Sequence, residues 1–417
     1  MTKPIESAVR TLPLYDPSPA DADGWHAVRS PGGYEWWYFD AEDDRGQFRL
    51  VAGLCEGFVF HPGYLRRYYR YLAEPTRHAP PLPGEYPCAF FAVYEKGRLL
   101  AEYLTQVRPE EFSASAAGPQ VRVGTNQLSR GQDGSLRLQM SGGRLSAELA
   151  YQPQFPKSAV GEECADVLPS PGTPGEGQGE GLLPPVLGDP RKQKDPRPSP
   201  LPEYREREKR SGVDGCEALE RDFLSRKMTG ADHRWIIANP LCRVQGEVQL
   251  AGPDGGSRRV IGFSGRGYHD HNFGSAPLGP GLRRWIRGRT LWDDGMLAFH
   301  YARPRRRRLG DEVSLVRADE KGVREVPVTL TRSDWSGRSA LAVRYPTRLH
   351  LKAGDVATGD IKLESPRVIH ATAFQLRLIY EAQFGDRRGE ALCEVGYPRR
   401  LTWPVIGRMI QRSIVAQ

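Results

Sequence analysis

The sequence predicts an all-β protein of antiparallel strands, and three observations carry that prediction. Apolar and polar residues alternate through many short segments separated by glycine turns, which is the pattern of hairpins with one buried face. The 46 glycines and 35 prolines among 417 residues favour short strands and many turns over long helices. Strands also follow strands with few helical stretches between them, which argues for barrels or sandwiches and against a parallel α/β sheet.

The hairpins can be placed along the chain. In "SLRLQMSGGRLSAEL", Leu136, Leu138 and Met140 share one face before a turn at Gly142-Gly143, and the returning strand repeats the alternation. One face of this pair is therefore expected to be buried. Four other segments follow the same pattern, with turns at Lys96-Gly97, around Gly255-Gly256, around Asp293 to Gly295 and at Lys321-Gly322.

Length and composition divide the chain. At 417 residues it is longer than a single hydrophobic core usually supports, so we expect two domains, and we place them at residues 1–244 and 245–417. Ten prolines fall between Pro169 and Pro202, and no aromatic residue lies between Pro156 and Glu203. Such a stretch buries too little apolar surface to offset its ordering entropy, so residues 160–212 are predicted to be a disordered insertion in the first domain.

The formal net charge of +8 raises the question of a nucleic acid partner. The strongest basic run, Arg303 to Arg308, stands between two alternating segments as a hairpin loop would. No zinc-finger spacing, aromatic-rich RNA-binding motif or basic helix accompanies it. We therefore predict a solvated loop and no nucleic acid binding.

The cysteines and the two terminal segments bear on where in the cell the protein is expected to be. Six cysteines are scattered without a CxxC pair, which indicates neither a zinc site nor a disulfide framework. The N-terminal segment lacks the apolar core of a secretory signal, so we expect a cytoplasmic protein with free thiols. The C-terminal "LTWPVIGRMIQRSIVAQ" mixes apolar and basic residues without an acidic one. It is typical of a closing strand or helix, with peripheral attachment to a membrane surface as the alternative.

Three clusters of aromatic and polar residues are candidates for chemistry. The first, "YEWWYFD", begins at Tyr34 and in a strand places Glu35 and Trp37 on the same side. A carboxylate among tryptophans has to be paired or have a shifted pKa, so Glu35 is a candidate site residue. The second, "HRW", places His233 and Trp235 on one face of an extended chain, an arrangement that fits packing as well as catalysis.

The third cluster, "GRGYHDHNFG" at residues 265–274, offers a metal site, an acid/base site or a hydrogen-bonded corner. In an extended chain, Tyr268, Asp270 and Asn272 point one way while His269 and His271 point the other. The two histidines lack a third ligand with recognisable spacing, so no metal site is predicted. A carboxylate beside a phenol supplies the components of acid/base chemistry, which is the interpretation we favour.

Taken in order, "YEWWYFD", "HRW", "GRGYHDHNFG" and "RRWIRGR" resemble motifs of the hydroxyneurosporene synthase (carotenoid 1,2-hydratase) family. Its wider relatives include Diels–Alderase-type cyclases and tocopherol cyclases. The resemblance runs from the first of these motifs to the last, with only diffuse similarity beyond. It implies two lipocalin-like antiparallel β-barrels in tandem, with the site for a hydrophobic small molecule between or within them.

The resemblance also implies a reaction. Family hydratases use a His-x-Trp pair and a Tyr-x-Asp pair, which match His233 with Trp235 and Tyr268 with Asp270 in this sequence. The implied reaction adds water to the terminal C=C bond of an acyclic carotenoid or related isoprenoid and gives a tertiary alcohol. It needs no cofactor and no metal.

Each of these residues has an expected role. An apolar pocket would keep the Asp270 carboxyl protonated, so that it can protonate the alkene. The rings of Trp235 and Tyr268 would stabilise the resulting tertiary cation, and His233 would accept a proton from the attacking water. The residues expected to contact the substrate are Glu35, Trp37 and Trp285.

Two other functions remain open, since a shared fold does not settle function. One is a cyclase or pericyclase that acts on a polyene or prenylated substrate and delivers the cation to an internal nucleophile. The other is a non-catalytic carrier of a hydrophobic ligand. Burial of Asp270 would favour an enzyme over a carrier, and a water-sized polar niche beside His233 would favour a hydratase over a cyclase.

Overall fold

A computed structural model describes residues 23–155, 233–252, 256–278, 281–305, 310–355 and 358–416. Two large curled antiparallel sheets dominate these residues, one forming a nearly closed barrel and the other a half-barrel. The predicted all-β, lipocalin-like fold is therefore confirmed. The predicted insertion at residues 160–212 lies outside the described residues.

The first sheet has twelve strands. They are β1 (Tyr34–Asp43), β2 (Phe48–Glu56), β3 (Cys88–Glu95), β4 (Arg98–Gln106), β5 (Phe112–Ala114), β6 (Val121–Val123), β7 (Asn126–Arg130), β8 (Leu136–Gly142), β9 (Leu145–Pro153), β10 (His233–Ala251), β11 (Arg258–Gly274) and the C-terminal β23 (Val415–Ala416). Across the sheet they lie in the order β23-β4-β3-β2-β1-β11-β10-β9-β8-β7-β6-β5. The motif at residues 265–274 thus ends a strand that lies between β1 and β10.

The second sheet has nine strands. They are β12 (Leu282–Trp292), β13 (Gly295–Pro304), β14 (Glu312–Asp319), β15 (Gly322–Val326), β16 (Val328–Asp334), β19 (Arg348–Ala353), β20 (Ile361–Ala371), β21 (Gln375–Phe384) and β22 (Arg387–Gly396). The short strands β17 (Gly337–Arg338) and β18 (Arg344–Tyr345) pair with each other. The predicted domain boundary at residue 244 falls inside β10, whereas the change of sheet comes between β11 and β12.

The predicted hairpins form in the described parts of the chain. β8 pairs with β9, and Leu136, Leu138 and Met140 are buried in the first barrel. At the turn from β3 to β4, Lys96 and Gly97 have φ angles of 50° and 75°, as a two-residue hairpin turn requires. β13 pairs with β14 across the predicted basic loop, of which residues 306–309 are outside the described residues.

Two α-helices occur in the described residues. α1 (Pro62–Ala73) packs against α2 (Pro404–Ser413), so the C-terminal segment supplies both a helix and the short closing strand β23. Neither helix reaches the length and apolarity that crossing a bilayer would need. The cysteines of the described residues, Cys55, Cys88, Cys242 and Cys393, are buried and free.

Apolar side chains fill the interiors of both barrels. Those of the first barrel include Trp37, Phe39, Leu54, Phe91, Leu138 and Leu149, and those of the second include Ile286, Phe299, Leu315, Leu378 and Tyr380. A third cluster joins the outer faces of the two sheets and includes Tyr38, Tyr94, Trp235, Tyr268, Met296, Ala298 and Ile379. Because successive residues of a strand point to opposite faces, the strands at this contact bury one face in a barrel and the other between the barrels.

Candidate active site

The two faces of β11 lead to different parts of the molecule, as the sequence predicts. The strand pairs with β1 and β10, and its register places Asn272 opposite both Trp36 and Trp235. Tyr268 belongs to the cluster between the barrels. His269, one residue further, is fully buried on the side of the first barrel, where its ring stacks on Phe39.

On the inner face, His269 is held by acceptors at both ring nitrogens. Its Nδ1 lies 2.9 Å from the carbonyl oxygen of Tyr38, and its Nε2 lies 3.1 Å from Oδ1 of Asp23. Burial disfavours the charged imidazolium, but the Asp23 carboxylate outweighs it and raises the pKa of His269. This face therefore holds a buried ion pair with its hydrogen bonds made.

His271 forms a second inner pair. Its Nε2 lies 3.0 Å from Oε1 of Glu35, which also receives the backbone N–H of His26 at 2.8 Å. Burial alone would raise the pKa of Glu35, but hydrogen bonds from His26 and His271 lower it. The expectation that Glu35 must be paired or shifted is met by these two histidines.

The same group has a geometry that sequence spacing did not reveal. His26, Glu35 and His271 each offer a ligand atom, and the three atoms lie within 4.8 Å of one another. His26 is thus a third potential metal ligand, supplied by a segment far from the motif. In the structure both histidines are hydrogen-bonded to the Glu35 carboxylate, with His26 Nδ1 at 3.1 Å and His271 Nε2 at 3.0 Å from its Oε1.

Glu35 and Trp37 do not fit the substrate-binding role expected of them. Both are fully buried on the inner face, where the Trp37 ring stacks on His271 with 4.5 Å between ring centroids. Trp36, the intervening residue, lines the cavity described next. Because successive side chains of a strand point to opposite faces, Trp36 faces the cavity, whereas Glu35 and Trp37 face the interior of the first barrel.

A cavity of about 1330 Å³ lies between the barrels. Its walls come from the outer faces of both sheets and from α1 and α2, and its aromatic members include Tyr34, Trp36, Tyr38, Phe58, Phe60, Phe90, Trp235, Trp285 and Phe374. Trp285, the third residue expected to contact the substrate, lines this cavity. The cavity uses the space between the filled barrel interiors.

The structure brings the predicted catalytic pairs together but gives them different exposure. His233 and Trp235 line the cavity. Tyr268 and Asp270 lie behind the Trp235 indole, whose Nε1–H donates to Tyr268 Oη at 3.1 Å and to Asp270 Oδ2 at 3.0 Å. Each of the two is only 1% exposed, and neither contributes to the cavity wall.

The surroundings of Asp270 differ from the apolar pocket expected for it. Arg287 Nη2 lies 3.4 Å from Asp270 Oδ2, and Asn272 Nδ2 donates to Oδ1 at 2.6 Å. Three groups that carry N–H donors thus face the two oxygens of this carboxyl group. A guanidinium and such donors are groups that stabilise a carboxylate.

Arg287 belongs to a charged network between the sheets that sequence analysis missed. Its Nε lies 3.5 Å from Oε2 of Glu394, and Arg377 Nε lies 2.8 Å from the other oxygen of that carboxylate. Burial would raise the pKa of Glu394, but Arg377 and then Arg287 outweigh burial and lower it. The sequence feature that could have indicated this network is the spacing of Arg287 and Arg289 in "RRWIRGR", which places two charges on the same face of a strand otherwise rich in apolar residues.

Two uncharged imidazoles lie beside this network. His233 Nδ1 lies 2.8 Å from Tyr34 Oη, and burial, assisted by Arg287, lowers the pKa of His233 to about 4. Burial also lowers the pKa of His300 to about 3, with further contributions from His233 and Arg287. Both rings are therefore neutral near pH 7 and able to accept a proton.

Several polar atoms around the cavity have unused hydrogen-bonding capacity. Arg287 Nη2, His300 Nδ1 and Trp285 Nε1 are buried and have no hydrogen-bond partner among the described residues; the 3.4 Å contact of Arg287 Nη2 with Asp270 is an ion pair without hydrogen-bond geometry. All three side chains contribute to the cavity wall. We call this region, together with His233, the polar niche. Buried polar groups are normally hydrogen-bonded, so the polar niche is suited to a water molecule or to an oxygen atom of a ligand.

Three carboxyl side chains of the described residues line the cavity, and their pKa values shift in different directions. Burial raises the pKa of Glu312. Glu102, like Glu394, has a lowered pKa, because its hydrogen bond and electrostatic interaction with His370, and then the charge of Arg377, outweigh burial. β13 and β14 pair Ala302 with Glu312 and His300 with Ser314, which puts Glu312 on the same face as His300, two residue pairs along the ladder.

No protein-family model matches the chain. Among curated proteins, hydroxyneurosporene dehydrogenase from Chlorobaculum tepidum is 25% identical over 269 residues, covering 64% of this chain and 56% of that protein. The chain therefore matches a little over half the length of this relative.

Solved structures give a second comparison. An AttH-like protein from Nitrosomonas europaea aligns with a TM-score of 0.53 and 15% identity, covering 90% of this chain and 94% of the other. Kievitone hydratase from Nectria haematococca aligns with a TM-score of 0.44 and 10% identity, covering 94% of both chains. The resemblance to the hydroxyneurosporene synthase family is thus confirmed: the chain is similar in sequence to a hydroxyneurosporene dehydrogenase and shares its fold with an AttH-like protein.

Proposed function

We propose that this protein is a cofactor-independent hydratase that adds water to a C=C bond of an acyclic carotenoid or related isoprenoid. The observation that carries the proposal is a cavity rich in aromatic side chains that contains the polar niche at one place on its wall. Its volume of about 1330 Å³ exceeds the ~300–1,000 Å³ of ordinary small-molecule pockets. An aromatic cavity of this size suits a long polyene.

In the proposed reaction, the polar niche holds the water that is added. Arg287 Nη2 donates a hydrogen bond to the water oxygen, which satisfies a buried N–H that otherwise has no acceptor. His233 takes the proton that the water releases when its oxygen bonds to the carbocation. A pKa of about 4 is sufficient, because water bonded to a carbocation is a strong acid. The step requires the tautomer in which His233 Nδ1–H donates to Tyr34 Oη, 2.8 Å away, which leaves the lone pair of Nε2 to accept the proton.

We assign proton donation to Glu312. Protonating an alkene requires an acid that keeps its proton, and Glu312 is the cavity-lining carboxyl group of the described residues whose pKa burial raises. Glu102 and Glu394 have lowered pKa values and are paired with cations. The proton moves from Glu312 to one alkene carbon, water adds to the other, and solvent later returns the proton from His233 to Glu312.

Asp270 acts through other residues in this scheme. Its carboxylate holds Trp235, whose ring forms the cavity wall and can stabilise the cation through its π face. It also faces the guanidinium of Arg287, and together with Glu394 it offsets a positive charge that would repel the carbocation. Asp270 and Tyr268 are therefore positioning residues.

The test is to incubate the purified full chain with detergent-solubilised lycopene or neurosporene in isotopically labelled water and to analyse the products by mass spectrometry. The proposal expects a product that has gained one labelled water. His233→Ala should lose this product, while His350→Ala, which alters a histidine paired with Glu364 away from the cavity, should retain it. Unchanged carotenoid with folded wild-type protein, or an isomer without label, would contradict the proposal.

A further inference from the structure

We propose that the outer face of α2, together with Trp403 just before it, is a docking surface for a membrane that carries anionic lipid. Large apolar side chains are exposed there: Trp403 is 50%, Val405 62% and Met409 47% exposed. Val405 and Met409 are four residues apart, so they lie on the same side of the helix. We call Trp403, Val405 and Met409 the apolar docking residues.

The helix is amphipathic: Val405 and Met409 stay exposed on this side, and Trp403 packs there against the guanidinium of Arg400, which lies 5.5 Å from its ring centroid. Ile406, Gly407 and Ile410 are buried. Ile406 and Ile410 share a hydrophobic cluster with Leu65 of α1 and with Phe374, which lies in the turn between β20 and β21. The opposite side therefore points outward. Single exposed apolar residues are common, but a cluster of them on one surface marks an interaction site.

The charge around the apolar docking residues favours an anionic bilayer over a protein surface of mixed charge. Arg408 and Arg412 are exposed on the same side of α2, and α1, which packs beside it, exposes Arg66 and Arg70. No acidic residue follows Glu394 in the sequence. A helix with arginines beside an exposed tryptophan and aliphatic residues is the composition that binds at the headgroup level of a bilayer.

The position of this surface connects it to the cavity. Ile410 and Ser413 of α2, and Tyr71 and Leu72 of α1, line the cavity on their inward sides. The two helices thus separate the cavity from the surface that carries the apolar docking residues. If the proposed function holds, docking would bring this end of the cavity to the bilayer in which an isoprenoid substrate dissolves; the docking itself does not depend on that reaction.

The test is flotation of the full chain with vesicles of phosphatidylcholine, alone or mixed with phosphatidylglycerol, without any substrate. We expect binding to the mixed vesicles, weaker binding to the neutral ones, and a decrease with added salt. Changing the three apolar docking residues to serine should weaken binding by at least about tenfold. The matched control, Val260→Ser, alters a residue of β11 that is 52% exposed elsewhere and should bind as the wild type does.

A second measurement keeps the proposal testable if the triple variant does not fold. Trp403→Phe is conservative, and it should abolish a vesicle-induced blue shift of tryptophan fluorescence that the wild type shows. Absence of wild-type binding, equal binding by a folded triple variant, or an unchanged shift in Trp403→Phe would overturn the proposal. So would light scattering that finds a wild-type dimer and a monomeric triple variant, because the surface would then join two copies. Hydration in detergent by the triple variant should equal the wild type, which separates docking from the reaction.

Discussion

The inner and outer faces of β11 both bury charged and polar side chains, but they bury them for different purposes. On the inner face, His269 and His271 meet the carboxylates of Asp23 and Glu35 at about hydrogen-bond distance and stack on aromatic rings. On the outer face, the groups that meet Asp270 come from the second sheet as well, and the nearby Arg287 retains an N–H without a partner beside a cavity. Buried atoms without a hydrogen-bond partner occur on both faces, including Glu35 Oε2 and His271 Nδ1 on the inner one. Open space beside such atoms, and not the density of polar residues, distinguishes the face proposed to be reactive from the structural one.

The largest expected effect compares one histidine from each region. His233→Ala should lower kcat by about 10²–10⁴-fold, the usual contribution of a general base, with a stability close to that of the wild type. His271→Ala should leave Glu35 buried with one partner fewer and destabilise the fold by up to about 3–5 kcal/mol, while the folded fraction turns over within a few-fold of the wild type. Steady-state kinetics and urea unfolding of both variants check this. A catalytic loss confined to His271→Ala would reverse the assignment of the two faces.

A second pair of variants tests the proton donor. Glu312→Gln removes the acidic proton and should lower kcat by about 10²-fold or more with little change in KM. Glu325→Gln is its matched control, because burial also raises the pKa of Glu325 but this residue does not line the cavity. If both variants keep wild-type turnover, Glu312 is not the acid.

Asp270→Asn tests positioning against direct acid catalysis. Loss of the carboxylate leaves Arg287 with Glu394 as its remaining anionic contact, so we expect destabilisation of up to about 3–5 kcal/mol and a fall in turnover. Because the charge-assisted hydrogen bond from Trp235 to Asp270 is replaced by a weaker one to a neutral amide, the indole is held less firmly and KM should rise as well as kcat fall. A fall in kcat alone, with unchanged stability and KM, would instead favour proton donation by Asp270.

The smallest effect is a pH dependence of opposite sign on the two faces. The pKa of His269 is raised above its usual 6.5, so its stabilising contribution is complete below pH 6.5 and is lost as the pH rises through the raised value. The pKa of His233 is lowered to about 4, so the contribution of its neutral form is complete above pH 6.5 and is lost as the pH falls towards 4. NMR titration of the imidazole signals should find the two rings on opposite sides of 6.5. Two rings that titrate together would remove the distinction.

Much of the first sheet could be predicted from the sequence because its signals are local. Alternation along "GRGYHDHNFG" separates Tyr268, Asp270 and Asn272 from the two histidines, as observed, and two-residue spacing puts His233 and Trp235 on one face. The same rule, applied to "YEWWYFD", separates Trp36 from Trp37. It does not tell which of the two faces meets a cavity, which is why Glu35 and Trp37 were assigned to the ligand.

The contribution of the second sheet could not be predicted in this way. Periodicity shows that Arg287, His300 and Glu394 alternate with core residues, but not that β12, β13 and β22 lie against β10 and β11. Asp23 and His26 reach the inner face from a segment about 240 residues away along the chain, as the separation of 246 between Asp23 and His269 shows. Contacts across such distances depend on how the sheets curl and pack, which no local pattern records.

The most direct test of the account is a crystal structure of the protein with a bound acyclic carotenoid. We predict that the polyene lies between the barrels along Trp36, Trp235 and Trp285, with its terminal C=C bond beside the polar niche formed with His233 and Arg287. A polyene inside the first barrel, next to His269 and His271, would contradict the separation of a structural face from a reactive one.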